Sequence, residues 1–242
     1  MSKTIKILSL LLSYPSYEQK QAIGVLEQTL SEEKLLNQEQ LLNLEPLFSE
    51  FKQQHLLDLQ ENYVHLFDRT RALSLNLFEH IHGESRDRGQ AMVNLKSEYE
   101  KHGLDMDSQE LPDYLPIFLE FISLLPEEEA EDYLTQVLPI IIAIESRLGK
   151  RESYYQGVFK ILISMAGEVT DEKQLSELLA VEMDDPDNFE AIDKLWEETE
   201  VKFGPSNNPT DGCPVARETL AQMSAVEQNT NEKPTIKEDN HG

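Results

Sequence analysis

Large apolar residues recur along this chain at spacings of three and four, the period of one face of an α-helix. Stripes of this kind cover residues 56–66, 111–125 and 134–148. No stretch alternates apolar and polar residues with the period of two that is typical of a half-buried strand. The pattern therefore predicts an all-α protein.

Prolines and glycines divide the apolar pattern into separate helices. A first helix ends before Pro15, and residues 72–81 fit another helix through Leu73, Leu77 and Ile81. Further predicted helices cover residues 17–30, 38–53, 153–168, 171–182 and 188–201. The remaining C-terminal residues are polar and rich in Pro, Gly and Asn, a composition that does not bury a core. We expect a single bundle-like domain of about nine or ten helices over residues 1–203 and a disordered tail over residues 204–242.

The charge of the chain is strongly negative and unevenly distributed. Its 46 Asp and Glu residues outnumber 21 Lys and Arg residues, which gives a formal net charge of −25. Such a charge repels phosphate backbones and anionic lipid, so we expect neither nucleic acid nor a membrane surface as a partner. Residues 102–146 hold eleven carboxylates and no Lys or Arg. This acidic run is either a solvated helix face or a docking surface for a basic partner.

Cysteine usage and apolar run lengths bear on the compartment. Cys213 is the only cysteine, so the chain forms no internal disulfide and fits a reducing environment. The apolar runs at residues 7–12 and 137–144 are far shorter than the ~20 residues of a membrane span. No signal-peptide cleavage site follows the first run. We expect a cytoplasmic protein that does not insert into membranes.

The densest group of reactive side chains is EHIHGESRDRGQ, residues 79–90, which we call the polar corner. His80 and His82 are two residues apart, and a helix would point them about 200° apart, so they cannot share one metal ion. The chain has no HExxH motif, and Ser85 lacks the second glycine and the preceding strand of a nucleophile elbow. We predict no catalytic or metal-binding residue here. The alternative is a small, all-helical, metal-dependent hydrolase that uses the His80/His82 region.

A tight connection between two helices accounts for most of the polar corner. Gly83 fits the left-handed position after a helix C-terminus, and Ser85 fits the N-cap of the following helix. His80 and His82 then lie in the last turn, where protonated histidines interact favourably with the helix dipole. Pro112, in the sequence ELPDYLP of residues 110–116, similarly fits the first position of a later helix.

Two arginines do not fit this purely structural interpretation. Arg86 and Arg88 fall in the first turn of the second helix, where a cation typically costs about 0.3–1 kcal/mol. Either Glu79, Glu84 and the acidic segment 105–132 compensate the two charges, or the arginines face a ligand or a partner.

These sequences closely resemble a known family. The run LFDRTRALSLNLFEHIHGESRDRGQAMVNL, the later YEKHGL and then ELPDYLP are similar to the delta-chain or NarJ family of respiratory nitrate reductase molybdenum-cofactor assembly chaperones. That family belongs to the all-helical redox-enzyme maturation chaperones. The resemblance covers about residues 5–203, is strongest over 63–125, and implies one all-α domain without catalytic activity.

The resemblance also implies a client. Family members bind the immature catalytic (alpha) subunit of membrane-bound nitrate reductase in the cytoplasm, with its N-terminal segment as the expected contact. They hold it competent to receive molybdenum–bis(molybdopterin guanine dinucleotide) and an iron–sulfur cluster before it docks on its membrane subunit. No cofactor is bound permanently, transient contact with the molybdenum cofactor is expected, and molybdenum cofactor biosynthesis proteins are further expected partners.

The family signature, transferred position by position, gives the expected client-binding residues. They are Phe67, Asp68, Arg69, Glu79, His80, His82, Glu84, Ser85, Arg86, Asp87, Arg88, Glu110, Pro112, Asp113 and Tyr114. One position departs from the wider group, because Tyr114 stands where many relatives have His. A tyrosine does not titrate near neutral pH, so we expect no proton-linked role for this position.

Overall fold

The computed structural model describes residues 2–82, 86–106 and 110–181. These residues belong to one compact unit, Met1–Asn188. Within the described ranges the regular structure is helical, and the only strand-like feature is a β-bridge between Asn76 and Tyr114. The all-α prediction is confirmed. The predicted helix at 188–201, the domain boundary at 203 and the tail over 204–242 lie outside the described residues.

Ten α-helices are present in the described part of the chain. They are α1 (Lys3–Leu12), α2 (Tyr17–Glu33), α3 (Gln38–Gln53), α4 (Leu56–Tyr63), α5 (Glu79–His82), α6 (Arg86–Lys101), α7 (Leu115–Ile122), α8 (Glu127–Lys150), α9 (Gln156–Met165) and α10 (Glu172–Ala180). Helix α4 continues into a π-helical turn at Val64–Asp68, and a 3₁₀ turn follows at Arg71–Leu73. None of the described helices is both long and apolar enough to cross a membrane.

Side-chain caps fix where the first helices begin. The Ser2 hydroxyl accepts the Ile5 N–H at the start of α1. Reciprocal capping boxes open the next two helices, Ser16 with Gln19 at α2 and Asn37 with Gln40 at α3. Each cap satisfies backbone N–H groups that have no partner within the helix. These local signals explain why the predicted starts at residues 17 and 38 are confirmed.

Helices α1 and α7 lie side by side in opposite directions at the centre of the described unit. The Ser9 hydroxyl donates to the Pro116 carbonyl at 2.7 Å, and the Ser2 N–H donates to the Ser123 carbonyl at 2.9 Å. Helix α8 packs against α9 and α10, and α9 also packs against α3. The core between them consists mainly of leucine, isoleucine and phenylalanine side chains.

Residues 70–78, which we call the strap, do not form the predicted helix. Leu73, Leu75 and Leu77 are all buried, whereas Ile81 is 45% exposed. Ala72 and Ser74 are buried as well, so four consecutive residues, 72–75, are buried. The backbone forms the 3₁₀ turn at Arg71–Leu73 and then follows an irregular path to the β-bridge at Asn76. The spacing of Leu73, Leu77 and Ile81 fits a helix face by coincidence, so this prediction is wrong.

The strap is hydrogen-bonded to the residues that precede α7. The Leu115 N–H donates to the Leu75 carbonyl at 2.8 Å, and the Leu77 N–H donates to the Asp113 carbonyl at 2.9 Å. Because Asp113 is bound to the strap in this way, helix α7 starts only at Leu115. Pro116 lies in its first turn. The prediction that Pro112 is the first helical residue is therefore wrong by one turn.

A close approach of α3 and α9 gives a stability prediction. A Cβ atom at Gly157 would overlap the backbone carbonyl of Asn43, whereas a Cβ at Gly24, on an exposed face of α2, meets nothing within 4 Å. We expect Gly157→Ala to lower the free energy of unfolding by about 2–3 kcal/mol. Gly24→Ala should raise it by about 0.5–1 kcal/mol. Urea unfolding of both variants measures the difference, and equal midpoints would contradict the described helix packing.

Candidate functional site

The carboxylate of Asp113 lies at the centre of the polar corner. Its side chain is fully buried, and Oδ2 accepts the Phe78 N–H at 3.0 Å and lies 4.0 Å from Arg88 Nη2. Burial raises the pKa of Asp113, and the Phe78 N–H and the positive charge of Arg88 partly oppose that rise. One side chain thus joins the strap, α6 and the start of α7.

Arg88 completes this arrangement by binding a second carboxylate. Its Nη2 donates to Glu79 Oε1 at 3.0 Å, and the Arg88 side chain is only 16% exposed. Of the two alternatives for the arginines, compensation by acidic neighbours is confirmed for Arg88. For Arg86 the structure describes the backbone alone, as the first residue of α6. Gly83, Glu84 and Ser85, with their predicted caps, lie outside the described residues.

His80 donates a hydrogen bond from its ring to the strap. Its Nε2 lies 2.8 Å from the Ser74 carbonyl, which can only accept, so this nitrogen carries the proton. Burial lowers the pKa of His80, the bond to Ser74 opposes that effect, and the nearby positive charge of Arg147 lowers the pKa further. His80 lies in the last turn of α5 as expected, and its lowered pKa disfavours the protonated form that would interact with the helix dipole.

His82 lies in the same short helix but has a different environment. Its ring packs edge-on against Phe78, with ring centroids 5.9 Å apart. No group of three His, Cys, Asp or Glu side chains suited to a metal ion occurs within residues 2–82, 86–106 and 110–181.

Tyr114 closes the site from the side of α1. Its hydroxyl is 2.6 Å from that of Tyr63, and the Tyr63 hydroxyl donates its proton to the Leu12 carbonyl at 2.8 Å. Tyr114 must therefore donate to Tyr63. Burial raises the pKa of Tyr114 to about 12, so the hydroxyl stays protonated at neutral pH. The same burial and hydrogen bonding show that Tyr114 holds the end of α1 against the start of α7.

The π-helical turn separates its signature residues between the core and the surface. Phe67 is buried, and its ring centroid lies 4.9 Å from that of Tyr63 and 5.1 Å from that of Tyr155. Asp68 and Arg69 are exposed. Partial burial raises the pKa of Asp68, and the negative charge of Glu110 raises it further, so the two carboxylates lie near each other. π-helical turns occur frequently at functional sites.

Most of the described site residues thus fall into two groups. Phe67, Glu79, His80, Arg88 and Asp113 bind other parts of the same chain and shape the corner. The described residues whose side chains are exposed on the outer surface are Asp68, Arg69, Asp87 and Glu110.

Sequence reasoning missed Arg147, which is buried on α8. Its Nη1 donates to the Ala72 carbonyl of the strap at 2.8 Å, and its Nη2 donates to the Leu178 carbonyl of α10. The available signal was a single arginine within an otherwise apolar stripe. Arg147 thus connects the strap to α10 through two backbone carbonyls.

The fold and this site define an all-helical protein whose polar corner is held by its own contacts, with an acidic outer surface. Comparison with known proteins agrees with that class. The profile of the family described as "Nitrate reductase delta subunit" matches residues 26–154. NarJ of Escherichia coli (strain K12), named as a nitrate reductase molybdenum cofactor assembly chaperone, is 43% identical over 197 residues, or 81% of this chain and 83% of NarJ. The chain therefore belongs to the nitrate reductase delta subunit (NarJ) family.

Two further similarities were found. NarW of Escherichia coli (strain K12), named "Probable nitrate reductase molybdenum cofactor assembly chaperone", is 39% identical over 203 residues, which cover 82% of this chain and 83% of NarW. A crystal structure from Archaeoglobus fulgidus, described as a "Putative Redox Enzyme Maturation Protein", aligns with a TM-score of 0.49 and 21% identity over 67% of this chain and 91% of that one. The curated relatives are named as assembly chaperones, so the protein is a chaperone and not an enzyme. The hydrolase alternative is not retained.

The environment of His80 predicts a specific pH dependence of stability. Because folding lowers the pKa of His80 below its ordinary value of 6.5, only the unfolded chain gains this proton as the pH falls through that value. Stability is therefore lost on the acid side, and His80→Gln, which keeps a neutral donor, should remove that part of the loss. Urea unfolding between about pH 7 and pH 5 measures it, with His82→Gln as the control. If the unfolding free energies of His80→Gln and the unsubstituted chain change with pH in the same way, folding does not lower the pKa of His80.

Proposed function

We propose that this protein is the cytoplasmic chaperone of a membrane-bound nitrate reductase and binds its immature catalytic (alpha) subunit. It holds that subunit competent for insertion of molybdenum–bis(molybdopterin guanine dinucleotide) and an iron–sulfur cluster, before the subunit docks on its membrane partner. The observation that carries the proposal is the 43% identity, over 81% of the chain, to an Escherichia coli protein named for molybdenum cofactor assembly of nitrate reductase.

The two groups of site residues suggest a division of roles. We assign client contact to the exposed residues Asp68, Arg69, Asp87 and Glu110, because their side chains reach the surface. The buried members act as positioning residues. Asp113 fixes the strap, and the pairing of Arg88 with Glu79 fixes α6 beside α5. A rigid corner of this kind presents its exposed charges in one geometry, which lowers the entropy lost on binding.

Electrostatics supports a basic client surface. The net charge is −25, and much of the excess negative charge lies in the acidic run. Exposed carboxylates of this run include Glu110 and the three glutamates in the first turn of α8. Complementary charge speeds encounter and rejects wrong partners more than it adds affinity. A chaperone must also release its client, so moderate affinity suits the role. Binding shifts the client toward a cofactor-accepting state by as much as the chaperone's affinities for the two client states differ.

Any contact with the molybdenum cofactor is transient in this proposal. Arg88 already binds Glu79 and lies beside Asp113, so it would have to exchange one anion for another to receive a phosphate. Arg69 and Arg71 are exposed on the segment that precedes the corner. Arginine binds phosphate through paired hydrogen bonds. We therefore assign transient cofactor contact to Arg69 and Arg71, and client contact remains the main role of the surface.

Charge reversal at two exposed carboxylates tests the proposal. The double variant Asp68→Lys, Glu110→Lys should capture about tenfold less immature catalytic subunit, because a basic client surface would meet like charge. The measurement is co-purification of the catalytic subunit from cells that lack molybdenum cofactor. The matched control, Glu45→Lys with Glu100→Lys, changes the net charge equally at exposed positions elsewhere.

The control should capture as much client as the unsubstituted chain. Equal capture by the Asp68/Glu110 variant would remove these residues from the contact surface. If the unsubstituted chain captures none of the immature subunit, or as much of the cofactor-loaded enzyme, the proposed chaperone role is wrong.

A further inference from the structure

Helix α10 is held to the rest of the protein by few contacts. It has nine residues, and Leu178 is its only buried side chain. Among the described elements it packs mainly against α8. A helix of this length is marginal in water and depends on packing for its stability. We therefore expect α10 to exchange between a docked and an undocked state.

Two hydrogen bonds fix the position of α10 along α8. Ahead of α10, the Gly167 N–H donates to the Thr135 hydroxyl at 2.8 Å. In the last turn of α10, the Leu178 carbonyl accepts a hydrogen bond from Nη2 of Arg147. Thr135 and Arg147 lie about 18 Å apart along the axis of α8. Arg147 therefore holds the C-terminal end of α10, where the one buried side chain also lies.

The same guanidinium holds the backbone of the strap. Its Nη1 donates to the Ala72 carbonyl at 2.8 Å, and Arg147 is only 3% exposed. Ala72 is the middle residue of the 3₁₀ turn Arg71–Leu73, and Arg71 is exposed. A buried side chain of α8 thus contacts both α10 and the turn that carries Arg71 at the surface.

This 3₁₀ turn is continuous with the surface that we assign to the client. The exposed residues Asp68 and Arg69 immediately precede Thr70, which is buried. The Thr70 hydroxyl donates to the Leu66 carbonyl at 3.0 Å, and the Thr70 carbonyl accepts the Leu73 N–H at 3.1 Å. A contact that orders Asp68 and Arg69 therefore also orders the turn.

The geometry of the guanidinium makes its two bonds depend on each other. Its terminal nitrogens form a rigid planar fork, so both carbonyls are satisfied only when the turn and α10 are both in place. Once a ligand fixes the turn, the Arg147 side chain is already ordered when α10 docks, and docking costs less entropy. Such coupling is reciprocal, so a docked α10 favours the ligand equally.

We propose that Arg147 couples the docking of α10 to the 3₁₀ turn, so that client contact at Asp68 and Arg69 and the docking of α10 stabilise each other. Arg147 acts as a positioning residue and does not touch the client. This inference rests on the proposed function and adds to it a helix that controls client affinity although it holds none of the predicted contact residues. Undocking of α10 weakens the contact and favours release.

Hydrogen exchange in the full-length chain tests the coupling without any substitution. The cofactor-free catalytic subunit should slow exchange of the backbone amides at residues 175–181 at least about fivefold. Binding of the subunit that leaves this exchange unchanged would overturn the coupling and leave the proposed function intact. If the subunit does not bind at all, the proposed function itself is wrong.

Substitution of Arg147 distinguishes coupling from direct contact between the client and α10. Arg147→Met keeps an unbranched side chain but removes both hydrogen bonds, so the client should no longer slow exchange in α10. Arg147→Lys keeps the positive charge but lacks the planar fork, and it should also lose the effect. Circular dichroism checks that each variant is folded. Client-induced protection of α10 that persists in a folded variant would show direct contact and overturn the coupling.

A substitution within α10 tests the reverse direction. Leu178→Ala removes the buried side chain that docks α10, so the dissociation constant for the cofactor-free subunit should rise about five- to tenfold. Leu179→Ala is the matched control in the same helix, because Leu179 is 45% exposed, and it should change the constant less than about twofold. Unchanged affinity in Leu178→Ala would contradict the coupling.

The double variant completes this test. In the Arg147→Met chain the coupling is already lost, so adding Leu178→Ala should change client affinity no further. If Leu178→Ala weakens binding by the same factor with and without Arg147, α10 acts on the client by another route and the role of Arg147 is wrong.

Discussion

Asp113 imposes the constraint on which the geometry of the polar corner depends. A carboxylate removed from water is costly unless hydrogen bonds and an opposite charge replace its hydration. Here the Phe78 N–H supplies the hydrogen bond, and Arg88, itself bound to Glu79, supplies the charge. These partners come from the strap, α5 and α6, so the carboxylate is stabilised only when all three are in place beside α7.

This constraint connects the buried half of the signature to its exposed half. Asp113 is followed by Tyr114, whose hydroxyl reaches Tyr63 just before the π-helical turn. That turn directs Phe67 into the aromatic core and leaves Asp68 at the surface near Glu110. Residues distant in sequence therefore present their charges together. In the proposed function, this is the surface that contacts the client.

Much of the fold could be predicted from sequence, because local patterns determine it. Apolar stripes and the breaks between them predicted the start of α2 and both ends of α3, and the structure has capping residues at both starts. The helix predicted over residues 72–81 is wrong because two competing patterns overlap in the strap. Leu73 and Leu77 fit a helix, but the backbone hydrogen bonds to Asp113 and Leu115 favour an irregular path.

The details of the site required tertiary contacts that no local pattern contains. The bond between Tyr63 and Tyr114 joins residues 51 positions apart, and Arg147 reaches a carbonyl 75 positions away. The lowered pKa of His80 depends on the burial of its ring, which no local pattern indicates. Sequence identified the residue types of the corner, and structure separated those that hold it from those that face outward.

Hydrogen exchange on the full-length chaperone tests the central claim, that the corner and the acidic surface bind an immature client transiently. The chaperone is compared alone, with the cofactor-free catalytic subunit, and with the cofactor-loaded subunit. We predict that the cofactor-free subunit slows exchange at Asp68, Arg69 and Glu110 and along the first turns of α8, and that the loaded subunit leaves exchange there unchanged. Equal protection by both subunits, or protection by neither, would contradict the account.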